Sequence, residues 1–252
     1  MTRSPAMGLG AVLAIAAAVL SAVPSMALDL DRRRMLTTQE HVPWKGVGRV
    51  NVAARSEQSM CTGTLIDADL VITAAHCVYS NRTGLRHAPG NIHFVAGWRR
   101  GTKVAHRLAT EVIVHPGYLH GTGVTLDQIG VDVALIRLES PIPQDVVPAF
   151  PISGAASRGS DLTLISYRQD RAHALTRQDG CDIKGTDDRV FVLGCDVTFG
   201  ASGSPLFAEI DGRPRIVAVI SAKGQDRTTR EELAFAVSVA GSLPALFEQM
   251  GQ

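Results

Sequence analysis

Three short segments carry side chains that could do chemistry together: Thr73-Ala-Ala-His76-Cys77, Asp132-Val-Ala-Leu-Ile-Arg-Leu138 and Gly200-Ala-Ser202-Gly-Ser-Pro205. A serine hydroxyl is a weak nucleophile at neutral pH. It needs a base within hydrogen-bond reach, and the base needs a third group to hold its tautomer. Ser202, His76 and Asp132 supply those three parts, and the chemistry they would perform is acyl transfer. Each has a plainer reading when taken alone: a histidine satisfied in the core, an aspartate opening a turn, a serine between glycines in a bend. Their joint occurrence favours the catalytic reading. His41, His87, His93, His106, His115, His120 and His173 have no such context and are read as structural.

The elements that must position these groups read as strands. Cys61-Thr-Gly-Thr-Leu-Ile66, Leu70-Val-Ile-Thr73, Asn91-Ile-His-Phe-Val95, Glu111-Val-Ile-Val114 and Val133-Ala-Leu-Ile-Arg-Leu138 are short, apolar and β-branched. A second set has the same rhythm: 162–165, 189–193, 205–208, 216–220 and 234–239. Between the sets, Ser140-Pro-Ile-Pro and Pro148-Ala-Phe-Pro151 cannot sit in a central strand, because proline lacks the ladder donor. The reading is therefore all-β, with one unit over about 43–139, a linker at 140–152 and a second unit at about 153–240. No amphipathic helix separates successive strands, which argues against a parallel α/β fold. One helix is expected at about 242–250, capped by Ser242, with Pro244 in its first turn and Leu243, Leu246, Phe247 and Met250 on its apolar side.

Bulk composition bounds the partners. The chain has 252 residues, 45% apolar and 19% charged, with 25 Lys and Arg against 24 Asp and Glu. That balance offers no electrostatic footprint for nucleic acid or an acidic membrane. Arg3 followed by the apolar run Ala11–Leu20 and by Ser25-Met26-Ala27 reads as a signal peptide over 1–27, cleaved after Ala27. The run is too interrupted by Gly8, Gly10, Ser21 and Pro24 for a spanning anchor. Its loss removes Arg3 and no acid, so the mature chain is formally neutral and is expected in the periplasm or outside the cell, with residues 28–42 as an extension or short propeptide. Cys61, Cys77, Cys181 and Cys195 are an even set in an exported chain, and each has one near neighbour, so Cys61 with Cys77 and Cys181 with Cys195 are the expected disulfides. No C-x-x-C pair suggests zinc, and no Asp or Glu occurs from Leu70 to Thr110 to hold calcium, so neither metal nor cofactor is expected.

With these motifs in hand, residues 43–248 resemble a secreted serine endopeptidase of the chymotrypsin/trypsin fold, and Ala201 and Ser204 beside the serine look like its bacterial members, including the glutamyl endopeptidases. Thr-Ala-Ala-His-Cys with a cysteine sixteen residues before Cys77, Asp before Val-Ala-Leu-Ile-Arg-Leu, and Gly-x-Ser-Gly-x-Pro stand in the family's order. The nearest rival, the α/β-hydrolase elbow, wants glycine where Ser204 stands and a different chain order. The resemblance implies two antiparallel six-stranded barrels with the site between them, a polypeptide substrate and a monomer. It also implies an oxyanion hole from the amides of Gly200 and Ser202.

Two features depart from animal trypsins. No Ile-Val-Gly-Gly occurs between Leu28 and Val50, and Ala201 replaces the Asp before the catalytic serine, so the usual activation switch is absent. Specificity stays open. Asp196 lies six residues before Ser202, the offset of trypsin's pocket-floor Asp, which implies a basic preference. Ser221, Ala222 and Lys223 resemble the strand that lines the pocket, with Ser221 placed to contact Asp132, and a cationic Lys223 implies an acidic preference instead. Esterase activity, or a non-catalytic binding role on the same fold, are the competing functions.

Overall fold

A computed structural model describes Met1 and residues 33–54, 57–154, 156–187 and 189–251. The expected signal peptide and its cleavage point lie outside the described residues.

The first unit is a closed six-stranded barrel. Its strands are β2 (Val47–Ala54), β3 (Glu57–Asp67), β4 (Leu70–Thr73), β5 (Ile92–Ala96), β6 (Ala105–Val114) and β7 (Ala134–Leu138), in the order β2-β3-β4-β7-β6-β5, with β5 returning to β2. Alternation decides which face is inside. Val50, Val52, Leu65, Ile92, Phe94 and Ile136 fill the interior, while Arg49, Asn51 and Ala53 point out of β2. Gly48 is required where β2 passes the Phe94 ring, since a Cβ there would lie 2.5 Å from the ring. That glycine dilutes the apolar pattern of β2, a strand the sequence reading does not include.

The second unit is an eight-stranded sheet: β1 (Arg33–Met35), β9 (Thr176–Gln178), β8 (Leu162–Ser166), β12 (Pro205–Ile210), β13 (Arg213–Gln225), β14 (Glu232–Ser238), β11 (Val190–Leu193) and β10 (Ile183–Asp187), in that order. It curls without closing its ladder, which corrects the expectation of a second six-stranded barrel. The reason is local. β9 and β10 follow each other in the chain but sit near opposite ends of the sheet, joined through Asp179 to Asp182, where Gly180 turns the backbone at φ +67°. The curled sheet is thus bridged by covalent chain where a ladder of hydrogen bonds would otherwise run. β1, from the segment expected as an extension, adds to the β9 edge.

A shared core joins the units. Trp44, Val47, Ile72 and Leu135 from the first side meet Tyr167, Phe207, Val219 and Val237 from the second, with Trp44 stacked on Phe150 at 5.7 Å and tilted against Phe207 at 5.1 Å. The C-terminal helix, Val239–Met250, closes this core with Leu243 and Leu246. It starts three residues earlier than expected, at an N-cap of Ser238. Ser242 therefore lies inside the helix, fully buried, and its hydroxyl donates to the Gly130 carbonyl at 2.7 Å rather than capping.

Candidate active site

His76 sits where β4 gives way to a single 3-10 turn, Ala75–Val78. Two bonds hold that turn against β3: the Cys61–Cys77 disulfide and the Thr73 hydroxyl, which donates to the Thr62 carbonyl at 2.8 Å. Asp132 follows a short helix, Leu126–Ile129, capped by the Thr125 hydroxyl, and its amide donates to the Ile129 carbonyl at 3.0 Å. Only 5% of Asp132 is exposed. Burying a carboxylate is costly unless its lone pairs are taken. Here they are: the His76 amide donates to Oδ1 at 2.8 Å, the His76 Nδ1 to Oδ2 at 2.7 Å, and the Ser221 hydroxyl to Oδ2 at 2.5 Å.

An ionised carboxylate only accepts, so the bond to Asp132 places the ring proton on Nδ1 and leaves Nε2 free as a base. Burial pulls the His76 pKa down, but the charge of Asp132 and its hydrogen bond outweigh burial and raise it above the ordinary imidazole value. Burial likewise pushes Asp132 up, and the opposing pull of His76, with the hydrogen bonds from His76 and Ser221, leaves it below the usual carboxylate value.

Ser202 lies on a loop folded by its own backbone: Ala201 N–H to Thr198 C=O and Ser204 N–H to Ala201 C=O, both 3.0 Å. Thr62 fixes this loop to the first barrel. Its amide donates to the Ser202 carbonyl at 2.8 Å, its hydroxyl to the Gly200 carbonyl at 2.8 Å, and the hydroxyl also accepts from the Tyr167 amide at 3.0 Å. Gly200 and Gly203 adopt φ +89° and +79°, a region only glycine enters without strain. Among the described residues, no hydrogen-bond partner occupies the amides of Gly200 or Ser202.

His76, Asp132, Ser202, Gly200, Ser221, Ala222 and Lys223 all line one cleft of about 1200 Å³. β12 stops pairing with β13 at Val219, so the β13 edge from Ser221 onward is open on the cleft side while its other edge pairs with β14. Lys223 places its ammonium 5.7 Å from the ring of Phe199, which is 71% exposed on the cleft rim. Asp196 is placed differently. It is not among the cleft-lining residues, and its carboxylate is paired with Arg33 and with Arg168, the latter at 3.3 Å. The arrangement does not provide the free anionic floor that a basic preference needs. Both expected disulfides are present, Cys61–Cys77 and Cys181–Cys195.

Two features escape the sequence reading. Thr62 is a buried threonine in a strand, and only its place beside Cys61 marks it. His120, read as structural, is in the cleft, stacked on Tyr79 at 4.7 Å and within 3.3 Å of the Tyr118 hydroxyl.

The family model for Trypsin matches residues 37–246. Among curated proteins, the chain is 28% identical to trypsin alpha-4 of Lucilia cuprina over 237 residues, covering 82% of this chain and 84% of that one. It is 27% identical to serine protease 1 of Rattus norvegicus over 146 residues (57% and 52%) and 25% identical to glutamyl endopeptidase of Bacillus licheniformis over 187 residues (73% and 54%), so it spans about half the length of those two relatives. Among solved structures, a Glu endopeptidase in complex with MPD superposes with a TM-score of 0.69 at 20% identity, covering 87% of this chain and 97% of that one. The protease Anisep of Arthrobacter nicotinovorans gives 0.63 at 17%, covering 85% and 99%. These likenesses agree with a closed barrel, a curled second sheet and a terminal helix, which is the chymotrypsin-like fold, and the match over residues 37–246 makes this chain a member of the trypsin family.

Proposed function

We propose that this protein is an exported serine endopeptidase in which Ser202 is the nucleophile, His76 the general base and acid, and Asp132 the group that orients His76. The supporting observation is the buried Asp132 carboxylate on His76 Nδ1, at 2.7 Å, in the cleft that holds Ser202. In this reading His76 Nε2 takes the Ser202 proton as Oγ attacks a peptide carbonyl. The developing oxyanion is received by the amides of Gly200 and Ser202. His76 then protonates the leaving amine, and a water activated by the same imidazole releases the acid. A substrate strand would pair with the open edge of β13 at Ser221 to Lys223.

The charges in the cleft favour an acidic residue in the substrate. Arg49 and Lys223 line it, while Asp132, already committed to His76, is the one carboxylate among the lining residues. The relative named glutamyl endopeptidase fits the same preference. Export is supported by the N-terminal sequence and the two disulfides. Among the described residues no helix is long and apolar enough to cross a membrane.

The test is a fluorophosphonate probe followed by a peptide library, with the Ser202→Ala variant as control. The expected result is stoichiometric labelling of the wild type, none of the variant, and cleavage of peptides. No labelling and no cleavage would refute the reading, and ester turnover without peptide cleavage would replace it by an esterase.

A further inference from the structure

Residues 33–41 are built into the second unit. Arg33, Arg34 and Met35 pair in antiparallel register with Gln178, Arg177 and Thr176. The Leu36 amide donates to the Leu175 carbonyl at 2.9 Å, and the Leu36 side chain, 1% exposed, sits in the core shared by both units. Thr37 and Glu40 then form a reciprocal capping box that turns the chain toward Trp44.

This strap ends on Asp196. The Arg33 guanidinium pairs with the Asp196 carboxylate. Arg168, nearly buried, donates to the same carboxylate and to the Asp196 carbonyl at 3.1 Å. Gln178, the residue directly across from Arg33, faces its side-chain amide to the Asp196 backbone; the amide orientation that satisfies both partners donates to the Asp196 carbonyl at 3.1 Å and accepts from its amide at 3.2 Å. Oδ2 of Asp196 is therefore held by the strap and by Arg168, and its backbone by Arg168 and by the strand that the strap pairs with. Asp196 begins the stretch that runs through Phe199, whose carbonyl accepts from the Gln169 amide at 2.7 Å, to Gly200 and Ser202.

We infer that residues 33–41 remain part of the working enzyme and that Arg33 is a positioning residue, acting through Asp196 to hold the 196–202 loop with the Gly200 and Ser202 amides aimed into the cleft. The inference rests on the peptidase reading above. It assigns Asp196 an anchoring role rather than a place on the pocket floor. It also gives the chain, which lacks an Ile-Val-Gly-Gly terminus, a side-chain means of ordering that loop without a cut.

The experiment compares the wild type with Arg33→Ala and Arg33→Lys, measuring the rate at which a fluorophosphonate phosphonylates the serine, kcat and KM per titrated active site, and the thermal midpoint. Small misplacements of reacting groups are costly, so Arg33→Ala is expected to lower the labelling rate and kcat about tenfold, with KM within about twofold. Arg33→Lys, which keeps the charge, is expected to restore most of that loss. If Arg33→Ala does not fold, Arg33→Lys against Asp196→Asn carries the same comparison, with Asp196→Asn expected to be the slower. A lower thermal midpoint with unchanged kcat per active site would make Arg33 merely structural and overturn the inference, as would no change in either. A wild type that never labels would instead remove the peptidase reading, and the proposed role of Arg33 with it.

Discussion

The Ser221 hydroxyl and the Asp132 carboxylate lie 2.5 Å apart, joining the open edge of β13 in the second sheet to the loop that orients His76 in the first barrel. Ser221 thus fills the lone pair that a buried aspartate would otherwise leave to strain against its surroundings. The bond also couples the strand proposed to carry substrate to the proposed general base. Replacing Ser221 with alanine removes one donor to a buried charge, and kcat is expected to fall about tenfold, equivalent to about 1.4 kcal/mol, with KM nearly unchanged. Steady-state kinetics on a cleaved peptide checks this. An unchanged kcat would show that two donors suffice.

The same carboxylate sets the pH profile. In the proposed mechanism His76 must be neutral to act as a base, so activity should be lost as pH falls through the folded-state pKa of His76, which Asp132 raises above the ordinary 6.5 against the opposing effect of burial. The acid limb of kcat/KM is expected above 6.5. The stability contribution has its own sign: a raised imidazole pKa favours the folded state fully below 6.5, and the gain disappears as pH rises through the folded value. Asp132→Asn should move the limb down. It should also lower kcat by about 10⁴-fold, the magnitude seen for this substitution in the general Ser-His-Asp template. A limb that does not move would separate the titration from the Asp132–His76 pair.

The proposed triad is legible in the chain because each member is carried by a short local pattern. The disulfides are legible because each cysteine has one near neighbour. What is not legible is long-range. Thr62 holds Gly200 across 138 positions, and nothing in Cys61-Thr62-Gly63 says so. Asp196 at its offset reads as a pocket floor until Arg168, 28 residues away, and Arg33 are seen to take its charge. β1 and β9 are three-residue strands with polar sequences, so their pairing owes more to Leu36 entering the core than to any periodicity. The β9–β10 connection that spans the open side of the second sheet turns at Gly180, whose positive φ composition does not disclose.

Gly203 gives a sharper test of the Ser202 loop. A Cβ there would lie 2.1 Å from the Thr62 carbonyl oxygen and 2.2 Å from the Thr73 hydroxyl, at φ +79°. The backbone at Thr62 cannot yield without releasing the Ser202 carbonyl it holds. Gly203→Ala is therefore expected to lower kcat/KM by about 100-fold or to abolish folding. Gly212, at φ +69° with open space around it, is the control for backbone strain alone. Its alanine variant should lose about 1 kcal/mol of stability and no activity. Equal behaviour of the two variants would mean that contact with Thr62 carries no weight.

His41 predicts a stability effect remote from catalysis. It is 4% exposed, and burial followed by the nearby Arg99 charge lowers its pKa from 6.5 to about 4. Between those values the unfolded chain binds a proton that the folded chain refuses, so stability falls as pH drops through this window. The full loss is on the order of 3 kcal/mol. Urea unfolding of wild type and His41→Phe at pH 7 and pH 4.5 should show a smaller pH-dependent loss in the variant. Equal losses would place the acid sensitivity elsewhere.

The charge balance of the cleft yields the prediction on selectivity. Lys223 and Arg49 are the cations lining it, and Lys223 is held over the exposed Phe199 ring, a position that keeps the ammonium at the rim rather than free in solvent. Reversing that charge removes an attraction and adds a repulsion for an acidic side chain. Lys223→Glu should therefore lower kcat/KM for peptides with an acidic residue at the cleavage position by about 10 to 100-fold, as expected when one contact is exchanged for a like-charge one. Fluorophosphonate labelling should stay near the wild-type rate, because the probe carries no such side chain and Lys223 does not touch the triad in this structure. Adding salt should narrow the difference between the two enzymes, since the interaction is electrostatic and partly exposed. If the wild type cleaves its library with no regard to charge, or if Lys223→Glu slows all peptides alike, the preference must be set by the shape of the cleft between Val197 and Phe199 instead.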